Sequence, residues 1–329
     1  MQTTSRRHFG LALGLLGLSV AGRAAAASPT LASPTGLAGA PLARAPRLVP
    51  AQRTWTPPPA QAPTKEGLVS VGSAELAYWD TGGLGDPVVL LHPATGSKNV
   101  WAYQQPVLAA AGYRVIGYSR RGHAGSTAGT EADRGTGAGD LNAILDHLGV
   151  KRFHILGSAA GGFIVPDYAV SFKDRLLTLT IACSQAGIAQ PEFRAAIQTL
   201  SAEGFSKMAA SFRELGPSYR AAYPEGVAAW EALEHASRSV PDRIRQPTQN
   251  KVDYAALKTI TVPALVFTGS ADLYMPPSLM LQYARHLPNV ETAILAEAGH
   301  SAYWEQPEAF NALVLDFLAR HSSRKGLAR

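Results

Sequence analysis

Residues 154–165 read HILGSAAGGFIV, an apolar run that breaks into Gly157-Ser158-Ala159-Ala160-Gly161-Gly162 and then turns apolar again. A strand, a tight turn of small residues and the start of a helix form the layout of a nucleophile elbow, where a strained strand-to-helix turn presents one residue at the end of a sheet. So sharp a turn tolerates only small neighbours two places either side of that residue. Gly157 and Gly161 fit those places, and the residue midway between them is Ala159. Centring the turn on Ser158 instead would put Leu156 and Ala160 at the flanks, and the leucine would crowd the turn. Ala159 is therefore read as the presented residue, with Ser158 as a structural neighbour.

Outward from this stretch, short apolar strands alternate with helical segments. LVSVG and AELAYWD read as a hairpin. The runs PVVLLH, YRVIGYS, LLTLTIAC, ALVFTG and ETAILAE follow as strands, separated by helix-like stretches such as GAGDLNAILDHLG, PPSLMLQYARHLPN and EAFNALVLDFLARH. That alternation predicts an α/β fold, a mostly parallel central sheet with helices on both faces. The pattern is interrupted at about residues 185–258 by a polar, helical segment with Phe205, Met208 and Phe212 at i, i+3, i+7. The segment is read as a helical cap over the strand ends, where open α/β sheets bind ligands.

Several motifs agree in order and spacing with the α/β-hydrolase superfamily, which the chain resembles over residues 66–321. LLHPATGS at 90–97 looks like the His-Gly-x loop, and YSRRGHAGS at 118–126 is similar to the D-x-R-G-x-G-x-S loop, with Ser119 at the usual Asp. FTGSADLYMPP at 267–277 is similar to the G-x-x-D-x-x-x-P loop. AEAGHSAYWEQPEAFNALVLDFL at 296–318 closely resembles G-H-x-x-x-x-E-x-P-E-x-F. The resemblance implies a triad whose acid is Asp272 and whose base is His300, with the nucleophile position at Ala159. It also implies an oxyanion hole made by the N–H groups of Ala94 and Ala160. Pro93, at the usual glycine of the first loop, lacks an N–H but leaves that of Ala94 intact.

The chemistry explains these residue types. A neutral imidazole takes a proton from the attacking group, an aspartate on its far nitrogen fixes the tautomer, and two backbone N–H groups hold the developing oxyanion. A methyl group at 159 cannot attack a carbonyl. The scaffold is expected to be an esterase- or lactonase-like hydrolase for a small-molecule, apolar ester or lactone. The alternatives are a pseudo-hydrolase that only binds such a ligand, or lyase-like or cofactor-free chemistry on the His300–Asp272 pair. Other hydroxyls near the same strand ends (Thr95, Ser97, Ser119, Ser126 and Tyr274) read as structural, and Trp101, Tyr274, Tyr303 and Trp304 as possible pocket walls.

Bulk properties narrow the partners. Residues 1–64 hold six arginines and no acid or lysine, and therefore all of the net charge of +6. The rest of the chain balances to zero, so no nucleic-acid face is expected. The single cysteine, Cys183, excludes an internal disulfide and reads as a buried strand residue. No paired histidine spacing or strand-linked G-x-G-x-x-G occurs, so neither a metal nor a nucleotide cofactor is expected.

The N-terminus reads as a signal peptide over residues 1–27. Arg6-Arg7 precedes an apolar stretch from Leu11 to Gly22, and an A-x-A-like site lies near Ala25–Ala27. The stretch falls short of the ~20 residues needed to span a bilayer, so no stable membrane anchor is expected. Ser-Arg-Arg-His-Phe resembles the twin-arginine export signal, which implies the twin-arginine machinery as a partner and a periplasmic or secreted location. Residues 28–64, rich in Pro, Ala and Ser with PPP at 57–59, read as an extended linker or loosely attached arm, and residues 65–329 as the hydrolase domain.

Overall fold

The computed structural model describes residues 44–51, 54–237 and 245–323; the expected signal peptide at 1–27 lies outside them. The strands are β1 (Arg47–Val49), β2 (Lys65–Val71), β3 (Ala74–Asp80), β4 (Pro87–Leu91), β5 (Arg114–Tyr118), β6 (Phe153–Ser158), β7 (Leu176–Ala182), β8 (Ala264–Gly269) and β9 (Val290–Leu295). They form one sheet in the order β1-β9-β8-β7-β6-β4-β5-β3-β2. The hairpin β2–β3 and the pair β3–β5 are antiparallel, and the remaining pairs are parallel. The expected α/β architecture is thus the observed one.

The middle strands are buried on both faces, which is why they read as continuous apolar runs. Side chains alternate between two cores. Val89, Leu91 and Ile155 pack on one side with Leu141, Ile144, Val165 and Tyr168. Val88, Leu90 and Leu156 pack on the other with Phe267, Phe310 and Phe317. The helices Gly137–His147 and Gly161–Phe172 supply the first face, and the helix Pro307–His321 the second.

Composition misleads on the described part of the segment before Lys65, residues 44–51 and 54–64, which reads in sequence as the end of an extended linker or loosely attached arm. β1 adds a parallel edge strand to β9, with Arg47, Leu48 and Val49 opposite Ala293, Ile294 and Leu295. Trp55 packs half-buried against the second core, the Tyr103 hydroxyl donates to the Thr56 carbonyl, and the Gln105 amide bonds both N–H and C=O of Ala62 at 2.9 and 2.8 Å. The domain therefore begins at least by Arg47. Proline-rich chain cannot enter a central strand, but an edge strand and an extended strap need few N–H donors of their own.

Between β7 and β8 no strand occurs among the described residues, and the segment read as a cap is helical there. Its helices are Pro191–Gln198, Ala210–Glu214, Pro217–Ala222, Pro224–Ser237 and Tyr254–Lys258. The stripe of Phe205, Met208 and Phe212 does not form one helical face. Gly204, at φ +78°, opens a single 3-10 turn, the chain extends at Met208, and a new short helix starts at Ala210. Phe205 lies edge-on to Tyr274, while Phe212 is capped by the Arg220 guanidinium at 4.4 Å.

Candidate active site

The turn after β6 sets Ala159 and Ser158 in different backbone conformations. Ala159 has φ +51°, whereas Ser158 is the last residue of β6, paired with Ala182 of β7. A non-glycine residue in the left-handed region costs roughly 1–2 kcal/mol, so the surroundings must hold it there. They do so by three hydrogen bonds: the Ala159 N–H donates to Ala182 O at 3.0 Å, and Ala159 O accepts from the Gly162 N–H at 3.0 Å and from Ser184 Oγ at 2.5 Å. A Cβ at Gly161 would run into the carbonyl oxygen of Leu91 in β4, and one at Gly157 would meet the Gly161 carbonyl at 2.5 Å. The two glycines allow the helix Gly161–Phe172 to leave the strand this abruptly. Ser158 is fully buried, and its Oγ has no hydrogen-bond partner among the described residues.

Asp272 and His300 meet beyond the ends of β8 and β9. The His300 Nδ1 lies 2.9 Å from both Asp272 oxygens, so this nitrogen carries the proton and, in the neutral ring, Nε2 keeps the lone pair. The carboxylate is fixed in turn: Oδ1 accepts the N–H groups of Tyr274 and Met275 at 2.8 and 2.9 Å, and the Thr268 hydroxyl lies 3.0 Å from Oδ2. Burial opposes charge on Asp272, but the facing imidazole and these donors hold its pKa below the ordinary carboxylate value. Burial likewise opposes charge on His300, and is outweighed by the negative charges of Asp272 and Glu214 around it. Its pKa is raised to about 9.

Two acids missed in the sequence stand beside this pair. Glu305, buried, accepts the N–H of Gly299 at 3.0 Å and that of Gly216 at 2.9 Å, tying the cap to the loop that carries His300; burial raises its pKa to about 8. Glu214 ends a cap helix with its carbonyl accepting the Ser301 N–H at 2.9 Å, and burial raises its pKa. Next to it, Arg213 donates to the Tyr274 hydroxyl at 2.7 Å, and the Tyr274 ring lies 4.4 Å from that of His300. Glu305 was visible within the quoted motif, whereas a lone glutamate at 214 gave no signal.

Ala160 caps the helix that starts at Gly161, next to the turn. Ala94 is exposed in the otherwise largely buried loop after β4. His92 anchors that loop: Nδ1 lies 2.7 Å from Pro93 O, and Nε2 accepts the Arg120 N–H at 2.9 Å, so the proton resides on Nδ1. All but one of the alternative hydroxyls are engaged in structure. Ser119 Oγ accepts the Lys98 N–H at 3.1 Å, Ser126 Oγ accepts the Ala77 N–H at 2.9 Å and donates to Ser119 O, and Ser97 bonds Ser237 at 3.1 Å. Thr95 Oγ1 is buried without a partner among the described residues.

Cys183 is buried just after β7, and burial pushes its thiol pKa well above the ordinary value. Of the expected pocket walls, Tyr303 and Trp304 belong to the second core, where they pack against Trp101 and Tyr103, and the Tyr274 ring lies against His300. A cavity of about 530 Å³ does open beside Ala160, but Arg120, Arg121, His123 and Arg245 line it together with Phe163 and Ile164.

Residues 88–313 match the model of the alpha/beta hydrolase family, and the chain belongs to that family. Among curated proteins it is 30% identical over 277 residues to a 2-hydroxy-6-oxononadienedioate/2-hydroxy-6-oxononatrienedioate hydrolase of Dechloromonas aromatica, covering 77% of this chain and 93% of the relative. Among solved structures it is similar to a thermophilic esterase from Thermogutta terrifontis, at a TM-score of 0.64 and 24% identity over 78% of this chain and 99% of that one. It is also similar to Est816, described as an N-acyl homoserine lactone degrading enzyme, at a TM-score of 0.62 and 25% identity over 76% of this chain and the whole of that one.

Proposed function

We propose that the protein is an exported hydrolase of carboxylic esters or lactones in which water, not a protein hydroxyl, attacks the carbonyl. The observation that carries this reading is the His300–Asp272 pair, fully assembled although the left-handed residue at the turn is alanine. The relatives' names, which include an esterase and a lactone-degrading enzyme, support the substrate class.

In the proposed step a water molecule occupies the space above the Ala159 methyl group. His300 Nε2 takes one of its protons as the oxygen bonds to the carbonyl carbon. The carbonyl π electrons move to the oxygen, which the N–H groups of Ala94 and Ala160 hold as the oxyanion. Asp272 stabilises the imidazolium and remains ionised. On collapse, the C–O bond to the leaving group breaks and the imidazolium returns the proton to the alcohol oxygen.

The raised pKa of His300 sets the pH dependence. The base form is the active one, and it grows in as pH rises through about 9. The hydrolysis rate should therefore climb about tenfold per pH unit through neutrality and level off above pH 9. A rate flat between pH 6 and 8 would contradict the raised pKa of the base. Linkage gives the opposite trend for stability: a histidine pKa raised on folding stabilises fully below the unfolded value of about 6.5, and that contribution is lost as pH rises through about 9.

A second reading has the same observation in its favour. An assembled pair with no nucleophile at 159 also suits a pseudo-hydrolase that only binds a small ligand, and ligand binding without turnover by the unaltered chain would favour it.

Export rests on Arg6-Arg7 and the apolar stretch behind them. Replacing both with lysine should leave the protein unprocessed in the cytoplasm, as read by cell fractionation. Normal processing of that variant would rule out the twin-arginine route.

A further inference from the structure

The cavity beside Ala160 is not built for the apolar substrate that the sequence suggested. Its walls are the loop after β5, with Arg120 and Arg121, the helix Gly161–Phe172, with Phe163 and Asp167, and the chain from Arg245 to Thr248. A second cavity of about 410 Å³ shares Phe163, Arg245 and Thr248 with the first and adds Arg194, so Arg245 stands where the two join.

The charges within this space do not cancel. Arg121 is spent on Asp140, with two nitrogens 2.9 Å from the two carboxylate oxygens. The one acid in either lining among the described residues, Asp167, is spent as well. Its oxygens accept the N–H groups of Gln249 and Asn250 at 2.9 and 2.7 Å, and the Asn250 side-chain amide at 3.0 Å. Arg194 and Arg245 form no ion pair among the described residues. A positive excess therefore faces a volume in the range of small-molecule sites, in a domain whose formal charge balances to zero.

We propose that the cavity beside Ala160 receives a carboxylate borne by the substrate, with Arg245 as the residue that selects it. The inference rests on the hydrolase reading for the position of the reacting carbonyl, at Ala160, but its binding component does not need turnover. The guanidinium fork of the exposed Arg245 matches a carboxylate with two parallel N–H···O bonds. The substrate class becomes an ester or lactone that carries a free acid a few carbons from the scissile carbonyl.

The test has a binding arm and a turnover arm, both on the full chain. By calorimetry at low salt, hexanoate should bind more tightly than hexanamide, which lacks the charge. Arg245→Gln should weaken hexanoate binding by about tenfold or more, and Arg245→Lys should restore part of it. In the turnover arm, the ratio of kcat/KM for mono-4-nitrophenyl adipate over 4-nitrophenyl hexanoate should fall in Arg245→Gln by a similar factor, through KM. Equal binding of hexanoate and hexanamide, or hexanoate binding unchanged in Arg245→Gln because the charged His300 holds it, would overturn the proposal. Ester turnover absent in every variant would sink the hydrolase reading, and the calorimetry would still decide the carboxylate site.

Discussion

Ala159→Ser is expected to raise the hydrolysis of activated esters by roughly 10³-fold or more, and to do so through a covalent acyl-enzyme. The backbone at 159 already has the left-handed conformation of an elbow residue, at φ +51°, held by Ala182, Gly162 and Ser184. Serine adds one oxygen without asking the turn to move. His300 is already oriented by Asp272, and in the proposed site it is the base that the new hydroxyl meets. A presteady-state burst with a nitrophenyl ester, equal to one product per active site, is the signature. A variant that folds normally yet shows neither burst nor rate gain would mean that position 159 does not face the reacting carbonyl.

The second large effect is expected from Asp272→Asn. The amide presents an N–H or a carbonyl to His300 Nδ1 with little change of shape, but it removes the charge that stabilises the imidazolium and can force the wrong tautomer. Loss of the charge-stabilised tautomer is of order 10⁴-fold in a hydroxyl-based triad, and the water route should lose a similar factor. The rate profile should also move: without the facing carboxylate, burial dominates, and the His300 pKa falls from about 9. Because the Asp272 carboxylate accepts two backbone N–H groups, the variant's fold needs a check by circular dichroism. Full activity in a folded Asp272→Asn protein would remove the pair from the mechanism.

The sequence made the sheet and the frame at Ala159 legible for physical reasons. Strands buried on both faces must be apolar throughout, and a turn in which two backbones nearly touch admits only glycine, as Leu91 and Gly161 demonstrate. Asp272 and His300 could be located because a motif fixed each one's place relative to a strand end. Three features were not legible. The docking of Arg47–Val49 depends on a free edge at β9, which lies far along the chain and leaves no mark on a Pro-Ala-Ser segment. The stripe Phe205-Met208-Phe212 has helical spacing, but Gly204 and the extended Met208 break the helix that would align it. Arg245 and Glu214 gain their meaning from what the fold sets beside them, a cavity wall in one case and Ser301 in the other.

Water-based catalysis at a site without a nucleophile is tested most directly by intact-protein mass spectrometry during turnover of a nitrophenyl ester, with His300→Ala alongside. The unaltered protein should release product while its mass remains that of the free chain, His300→Ala should release none above background, and Ala159→Ser should gain the mass of the acyl group. An acyl adduct on the unaltered protein, at Ser158 or any other hydroxyl, would contradict the proposed mechanism, as would turnover that survives the loss of His300.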